Sequence, residues 1–510
     1  MRACFVGCLA FAAAILGSST AVGATGDWVQ WHFLGSTRIG GDTNGVRAQA
    51  VLAQPASQVL IQRAVAGLSR NVSSDAGTAE QVRGWLGEGS RVESYGLVRD
   101  EAGTDRPEWL VALRLGNAQA QAWAGRWEAF GKGAGFAGAR AAVADDWFLG
   151  GLRQTGAADL DPLRQRLTAA PPGDQPAPWL DLELDLARLS RAFGWPTSIT
   201  WPQAHVTLTG RGLDVRTTAE LNFPAPLNLR LAEWDIPTKT VREPLLSFTA
   251  LQGIQPWLSA RTSLQELGWP APNQVFAWAQ SLAPYATHVA WRMPEAATRI
   301  PAAKDKLKPV MVGLAPWSNL GEVEVMPEAH RLNWRGFPVL VPFVAPAEDD
   351  GFALAGIFPL ANPGGLAPPE LFAQLIGRTN LVYYHWELTQ PRLDDWQQMD
   401  IMYTIIGGFM PPPSNSVARA WLRDTNVTSQ LGNSVTELTA ASPTQLKAVR
   451  NSAVGLTAFE LFRTALWIEG ERFPLHTPPQ PVHFTRKSAK PSATAAPAPA
   501  PPHAETRRQH

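Results

Sequence analysis

The chain has 510 residues, of which 45% are hydrophobic and 17% charged, with 44 Lys and Arg balancing 44 Asp and Glu. A chain of this length can bury large cores without disulfides or metals, and its length suggests about three domains. A balanced charge with no basic block argues against nucleic acid or an anionic membrane surface as the main partner, because both attract a concentrated Lys/Arg patch. We therefore expect a globular protein with other partners.

The N-terminal segment has the pattern of an export signal. A positively charged start, an apolar run from Cys4 to Leu16 and a small-residue cleavage pattern predict a signal peptide over residues 1–24. Both cysteines, Cys4 and Cys8, lie within it, so the predicted mature chain has no disulfide and no thiol nucleophile. Retention of this segment as a membrane anchor stays open, because it just reaches the length that a bilayer requires. We expect a periplasmic or secreted bacterial protein with no transmembrane segment in the mature chain.

One pattern recurs along the remaining chain: an alternating strand runs into a helix and is followed by further strands. The four leading strands are predicted at residues 109–115, 179–185, 288–293 and 380–389. The clearest alternation follows the second of these, from Leu213 to Phe223. The pattern predicts an α+β fold of repeated β-α-β-β units, which form mainly antiparallel sheets with helices packed on one face of each.

Breaks rich in proline and glycine predict the domain boundaries. They divide the mature chain into an N-terminal α+β domain at residues 25–170, a central α+β domain at 176–310 and a C-terminal α+β domain at 311–484. The Pro/Ala-rich composition beyond this point predicts a disordered tail over residues 485–510.

Tryptophan is unusually abundant, with 21 residues against five tyrosines. Large rings on apolar faces of predicted strands and helices are expected to fill the core. The clearest core candidates are Trp109, Trp291, Trp386 and Trp467. The loop candidates for stacking on a ligand are Trp195, Trp201, Trp257 and Trp317.

The best polar cluster lies on the predicted strand at residues 380–389. Alternation places Tyr383, His385 and Glu387 on one face, and Asp395 at the start of the next helix could join them. A His and a Glu two residues apart can exchange a proton or share a ligand, so these four are the candidate catalytic residues. A solvated sheet face gives the same spacing, and a purely structural role is the competing interpretation.

Other chemistry is weakly represented in the sequence. An acidic stripe at Asp181, Glu183 and Asp185 could serve a glycosidase or bind calcium, although it fits no calcium-loop pattern. The nine histidines are scattered without metal-ligand spacing, and the nucleophile-elbow and phosphate-loop motifs are missing. We therefore expect neither a metal site nor a cofactor.

The function that best fits these observations is an exported, non-catalytic protein of the bacterial cell envelope that binds a partner or ligand. One alternative is a polysaccharide-active hydrolase or lyase that uses the face of Tyr383, His385 and Glu387. A second alternative is a carrier that holds apolar ligands between a sheet and its helices.

Overall fold

The computed structural model describes residues 27–72, 75–101, 107–168, 177–192, 199–281, 286–314, 321–336, 341–358, 364–406, 415–470 and 473–474. These residues belong to one compact unit, which ends at Pro474. The predicted signal peptide and the predicted tail lie outside the described residues.

Eighteen described strands form one sheet. In chain order they are β1 Asp27–Phe33, β2 Ser94–Asp100, β3 Pro107–Arg114, β4 Arg140–Ala144, β5 Trp147–Leu152, β6 Leu180–Asp185, β7 Gln203–Arg211, β8 Asp214–Asn222, β9 Leu245–Gln252, β10 Gln274–Gln280, β11 Thr287–Arg292, β12 Glu322–Met326, β13 Arg331–Arg335, β14 Phe343–Pro346, β15 Phe352–Gly356, β16 Leu381–Leu388, β17 Asn433–Ser442 and β18 Gln445–Ser452.

Sixteen α-helices lie within the described part of the chain. They are α1 Ser36–Gly40, α2 Val46–Ala53, α3 Pro55–Val72, α4 Ala76–Gly89, α5 Asn117–Gly133, α6 Asp161–Thr168, α7 Leu186–Ala192, α8 Gln255–Ser259, α9 Thr262–Leu267, α10 Ala296–Ala302, α11 Lys304–Leu314, α12 Pro369–Ala373, α13 Thr389–Ile406, α14 Val417–Arg423, α15 Thr425–Thr428 and α16 Ala458–Glu469. Within the described ranges, no helix is both long and apolar enough to cross a membrane.

Strand pairing gives the order β4-β5-β3-β2-β1-β6-β7-β8-β18-β17-β16-β9-β10-β11-β15-β14-β13-β12. Every one of these pairings is antiparallel, so the predicted α+β class with antiparallel pairing is confirmed. The expected separate sheets are joined into one, because β6 pairs with β1 and β18 pairs with β8.

The strand order divides the sheet into two similar halves. In the first half the order is β5-β3-β2-β1-β6-β7-β8, and in the second it is β15-β11-β10-β9-β16-β17-β18. The last strands of the two halves, β8 and β18, pair with each other in antiparallel fashion. The halves are therefore related by an approximate twofold axis at this seam. Strands β1 and β9 occupy equivalent positions in the strand orders of the two halves.

The four predicted units are present in the fold, in the predicted order along the chain. They are β3-α5-β4-β5, β6-α7-β7-β8, β11-α10-α11-β12-β13 and β16-α13-β17-β18, with the short helices α14 and α15 inserted in the last. The division into three domains stays a prediction. Strands from all three predicted domains belong to the one sheet.

Directly paired residues in antiparallel strands point to the same side of a sheet. One row of such pairs crosses all eighteen strands, and we call its side the front face and the other side the back face. From one edge to the other the row contains Val325, Leu332, Val344, Ala355, Val289, Ala277, Thr249, His385, Thr436, Arg450, Thr217, Leu208, Leu180, Phe33, Ser94, Leu113, Phe148 and Val143.

The front face of the first half is a packed apolar core. Val29, Trp31 and Phe33 of β1 are buried there with Trp123 and Trp127 of α5. The Trp31 ring lies so close to Gly96 of β2 that a Cβ at that position would be 1.8 Å from it. Glycine is therefore required at this close approach, and tryptophan fills the space above it.

The expectation that helices cover only one face of the sheet is wrong. Helix α6 packs on the back face through Leu163, against Leu110 and Leu149 of the sheet. Helix α12 packs on the same face in the second half, where Phe372 meets Phe248. The strands carry large apolar side chains on both faces at these places, so both faces need a cover.

The described tryptophans lie mainly in the core, as predicted. Nine of them are buried: Trp28, Trp31, Trp109, Trp123, Trp127, Trp179, Trp278, Trp334 and Trp421. The remaining core candidates, Trp291, Trp386 and Trp467, are partly buried and pack against the apolar clusters.

Candidate ligand cavity between the sheet and two helices

A cavity of about 320 Å³ opens on the front face of the second half. Its floor is formed by β9, β10 and β16, and its walls by α13 and the start of α16. The lining residues are Ser247, Thr249, Ala277, Trp278, Thr287, Tyr383, His385, Glu387, Arg392, Trp396, Arg450, Thr457, Phe459 and Glu460.

Small side chains on the floor create this space. Strand β9 presents Ser247 and Thr249 to the front face, and its neighbour β10 presents Ala277. In the equivalent place of the first half, β1 presents Val29 and Trp31, which fill the layer. Residues of this size leave the second half with a hole in the position where the first half has a core.

His385 lies at the centre of the floor with partners on both ring nitrogens. Its Nδ1 is 2.8 Å from Thr249 Oγ1, and its Nε2 is 3.2 Å from Glu387 Oε2. When Nε2 carries the proton, Nδ1 accepts from the Thr249 hydroxyl. The side chain of His385 is 13% exposed, so the ring is accessible from the cavity while its orientation is fixed.

Glu387 also holds a helix in place. Its Oε1 accepts a hydrogen bond of 2.6 Å from the backbone N–H of Ala458, the first residue of α16. The first N–H groups of a helix have no partner within it, and the helix dipole favours a negative charge there. One carboxylate oxygen of this buried side chain therefore binds the start of the helix, and the other faces His385.

Tyr383 completes the predicted cluster. Its ring stacks on His385, with centroids 6.2 Å apart and an interplanar angle of 19°. Burial raises the pKa of the Tyr383 hydroxyl to about 12. The hydroxyl therefore stays protonated, and able to donate a hydrogen bond, throughout the physiological pH range.

The cationic groups of the cavity each have an acidic partner. Arg450 forms two hydrogen bonds to the Glu460 carboxylate, of 2.6 and 3.0 Å, and its Nε donates to Thr436 at 2.8 Å. Arg392 donates to Asp395 at 2.8 Å. These pairs leave little net charge at the site.

Asp395 is placed differently from the other predicted site residues. Tyr383, His385 and Glu387 meet at the cavity, whereas Asp395 is paired with Arg392 and does not line the cavity. Burial raises the pKa of the Asp395 carboxyl, and the charge of Arg392 opposes this shift.

The loop tryptophans are separate from this cavity. Trp257 is 61% exposed, with the guanidinium of Arg261 lying 4.3 Å from the ring centroid. Trp201 is partly buried, and it does not line the cavity. Trp195 and Trp317 lie outside the described residues.

Sequence reasoning missed the aromatic wall of the cavity. Trp396 of α13 and Phe459 of α16 form it, with ring centroids 4.8 Å apart. Arg392 lies one helical turn before Trp396, with its guanidinium 5.3 Å from the Trp396 centroid. An Arg and a Trp four residues apart at the start of a helix is a usable signal, because such residues share one face. The floor residues Ser247 and Thr249 gave no comparable signal.

A second cavity, also of about 320 Å³, lies on the back face of the first half, and the acidic stripe contributes to it. Glu183 and Asp185 line this cavity, while Asp181 is 2.7 Å from His205 Nε2. Asp185 is itself paired with Arg188. Within the described part of the chain, no group of three or more His, Cys, Asp or Glu side chains is arranged to hold a metal ion.

Comparisons with known proteins identify no relative from which the role of this cavity could be transferred. No protein-family model matches the chain, and no curated protein matches it in sequence. A solved structure, titled "Structure of crystal form I of TP0453", matches 46% of this chain and 98% of that chain, with 8% sequence identity and a TM-score of 0.22. A similarity of this size carries no argument about function.

Proposed function

We propose that the protein is an exported, non-catalytic binding protein of the cell envelope, and that it holds a small ligand in the front-face cavity. The observation that carries the proposal is the contrast between the halves. The same place is closed by Trp31 in the first half, but opens as a cavity of about 320 Å³ over a polar floor in the second. This volume is within the range of small-molecule sites.

Binding is favoured over catalysis by the state of the acidic groups. One oxygen of Glu387 accepts a hydrogen bond from the Ala458 backbone, and the other lies 3.2 Å from His385 Nε2. Glu460 is paired with Arg450, and Asp395 is held by Arg392 away from the cavity lining. A glycoside hydrolase needs two carboxyl groups that flank the scissile bond. The hydrolase or lyase alternative therefore has less support than binding.

The carrier alternative also has less support, because the cavity floor is polar. The hydroxyls of Ser247 and Tyr383 lie where an apolar ligand would have to be buried, and polar groups left without water or a hydrogen-bonding ligand are costly. The export part of the proposal rests on the pattern of residues 1–24.

A variant that fills the cavity tests the proposal. Ala277→Phe places a ring over the floor, and Ala355→Phe is its matched control, since Ala355 lies on the same face two strands away and does not line the cavity. Ligand-observed NMR with a library of small fragments is expected to detect binding to the unchanged protein and to Ala355→Phe, and its loss in Ala277→Phe. Fragment binding that survives in a folded Ala277→Phe protein would contradict the proposal.

A further inference from the structure

We infer that the ligand of this cavity is an uncharged, polyhydroxylated ring the size of a single sugar unit. The inference rests on the proposed function, since it names the chemical class of a ligand for the same site. Three properties of the lining carry it: its charge balance, its mixture of hydrogen-bonding groups and its aromatic wall.

The charge balance excludes a strongly charged ligand. The two cationic side chains among the described lining residues each have a carboxylate partner, with Arg392 next to Asp395 and Arg450 next to Glu460. The Glu387 carboxylate is stabilised by the backbone N–H of Ala458 at the start of α16. A charged ligand would enter a partly buried site with no unpaired counter-charge. Burial of an unpaired charge is strongly unfavourable, so the site selects against it.

The hydrogen-bonding groups suit hydroxyl partners. Ser247, Thr249 and Tyr383 carry hydroxyls, which both donate and accept, and they stand around the ring of His385. Ligand hydroxyls have the same double character, so they can pair with every group in such a set. A ligand with acceptors only, or with donors only, would leave part of the floor unsatisfied.

The aromatic wall supplies the apolar part of the match. Trp396 and Phe459 line one side of the cavity, and Phe459 is 46% exposed at its edge. A sugar ring has an apolar C–H face and a polar rim, so it fits between an aromatic wall and a hydroxyl-rich floor. A cavity of about 320 Å³ is at the lower end of the range for small-molecule sites, which favours one ring over a polymer segment.

Titration of the purified full chain with matched probes tests the inference. The neutral probes are methyl glycosides of the common hexoses and of N-acetylglucosamine. The comparison probes keep the ring size and change one property: glucuronic acid adds a negative charge, glucosamine a positive charge, and cyclohexanemethanol lacks the ring of hydroxyls. We expect at least one neutral glycoside to bind roughly tenfold or more tightly than all three comparison probes.

Two variants connect binding to the aromatic wall. Trp396→Ala is expected to weaken the best glycoside at least tenfold, and Trp396→Phe is expected to retain part of the affinity. Trp257→Ala, which removes an exposed tryptophan outside the cavity, is the matched control and is expected to bind as the unchanged protein does. Far-ultraviolet circular dichroism verifies that each variant is folded.

The outcomes separate the two proposals. Fragment binding that Ala277→Phe abolishes, together with no binding by any neutral glycoside, would overturn the sugar inference and keep the binding cavity. Tighter binding of a charged probe or of cyclohexanemethanol would also overturn it. The lack of any fragment or glycoside binding would overturn the proposed function itself.

Discussion

Single residues in the front-face row of paired positions determine where the sheet is covered by a packed core and where a cavity remains. The five central places of the row hold Thr249, His385, Thr436, Arg450 and Thr217, and apolar residues flank them on both sides. Polar side chains cannot close a core as tryptophan or leucine does, unless they find partners. Here Thr249 pairs with His385, and Arg450 pairs with Thr436 and with Glu460 of α16, while the space above the floor stays open. The buried Thr217 hydroxyl has no hydrogen-bond partner among the described residues.

His288 is the residue with the clearest expected effect of pH. It is 1% exposed, and neither ring nitrogen has a hydrogen-bond partner among the described residues. Burial lowers the pKa of His288 from 6.5 to about 4. The unfolded chain therefore binds the proton at a higher pH than the folded protein does, and stability falls as the pH is lowered from 6.5 towards 4, by roughly 3 kcal/mol in total.

Replacement of His288 tests this expectation. His288→Leu removes the titrating group and should flatten the dependence of unfolding free energy on pH between 6.5 and 4, as measured by urea denaturation. His330→Asn is the control, because His330 is exposed and Asn tolerates its φ of 47°. An unchanged pH slope in His288→Leu would show that other groups cause it.

At the scale of elements, the start of α16 joins a helix to the cavity floor. Thr457 and Glu460 form a reciprocal capping box, in which each side chain accepts from the other residue's backbone N–H. Glu460 also pairs with Arg450 of β18, and Glu387 of β16 caps Ala458. One helix terminus is thus fixed by groups from two strands, which holds the wall of the cavity over its floor.

Two substitutions separate the cap from the ion pair. Thr457→Ala breaks the capping box and is expected to lower the free energy of unfolding by about 1 kcal/mol. Glu460→Gln keeps a side chain that serves in a capping box but removes the charge, and its expected effect is smaller, because the pair with Arg450 is partly exposed. Urea midpoints at an unchanged m-value provide the measurement. A larger loss in Glu460→Gln than in Thr457→Ala would contradict this ranking.

The elements themselves were largely predictable, but their neighbours were not. Alternation located β16 and put Tyr383, His385 and Glu387 on one face, because a period of two is a local property. Thr249 lies 136 residues away from its partner His385, and nothing local in β9 indicates that pairing. The cavity depends on such long-range pairing, so its floor could not be derived from the sequence.

At the scale of the whole molecule, two joints connect the halves of the sheet. One is the seam between β8 and β18, and the other is a helix cluster in which α3 of the first half packs with α14 and α16 of the second. Within that cluster, Trp421 Nε1 donates to Ser57 Oγ at 2.8 Å. The continuous strand pairing at the seam and the buried apolar contacts of the helix cluster predict that the halves unfold together.

A proline at the seam tests how much the pairing of β8 with β18 contributes to stability. Ala448→Pro disturbs the ladder between β8 and β18, and proline in the interior of a sheet removes a hydrogen bond and strains the strand. We expect a loss of roughly 3 kcal/mol or more, whereas Ala448→Ser should change the stability by well under that amount. Thermal unfolding followed by tryptophan fluorescence and by far-ultraviolet circular dichroism measures both. Unchanged stability of the proline variant would show that the seam contributes little.

The equivalence of the two halves was only partly visible in the sequence. The recurrent β-α-β-β pattern predicted four units, yet the strand order that groups them into two depends on pairings such as β1 with β6 and β9 with β16. Pairing order is set by which faces and edges fit together in three dimensions. A linear pattern does not contain that information.

The seam between β8 and β18 also has a genetic consequence. If two identical chains met through such a strand, every mutation would appear on both sides of the twofold, and a hole opened in one copy would open in the other. With both halves encoded by one continuous chain, a substitution enters one side alone. Trp31 can therefore close the front-face layer in one half while Thr249 leaves it open in the other, so that the loss of packing that the front-face site entails stays on one side.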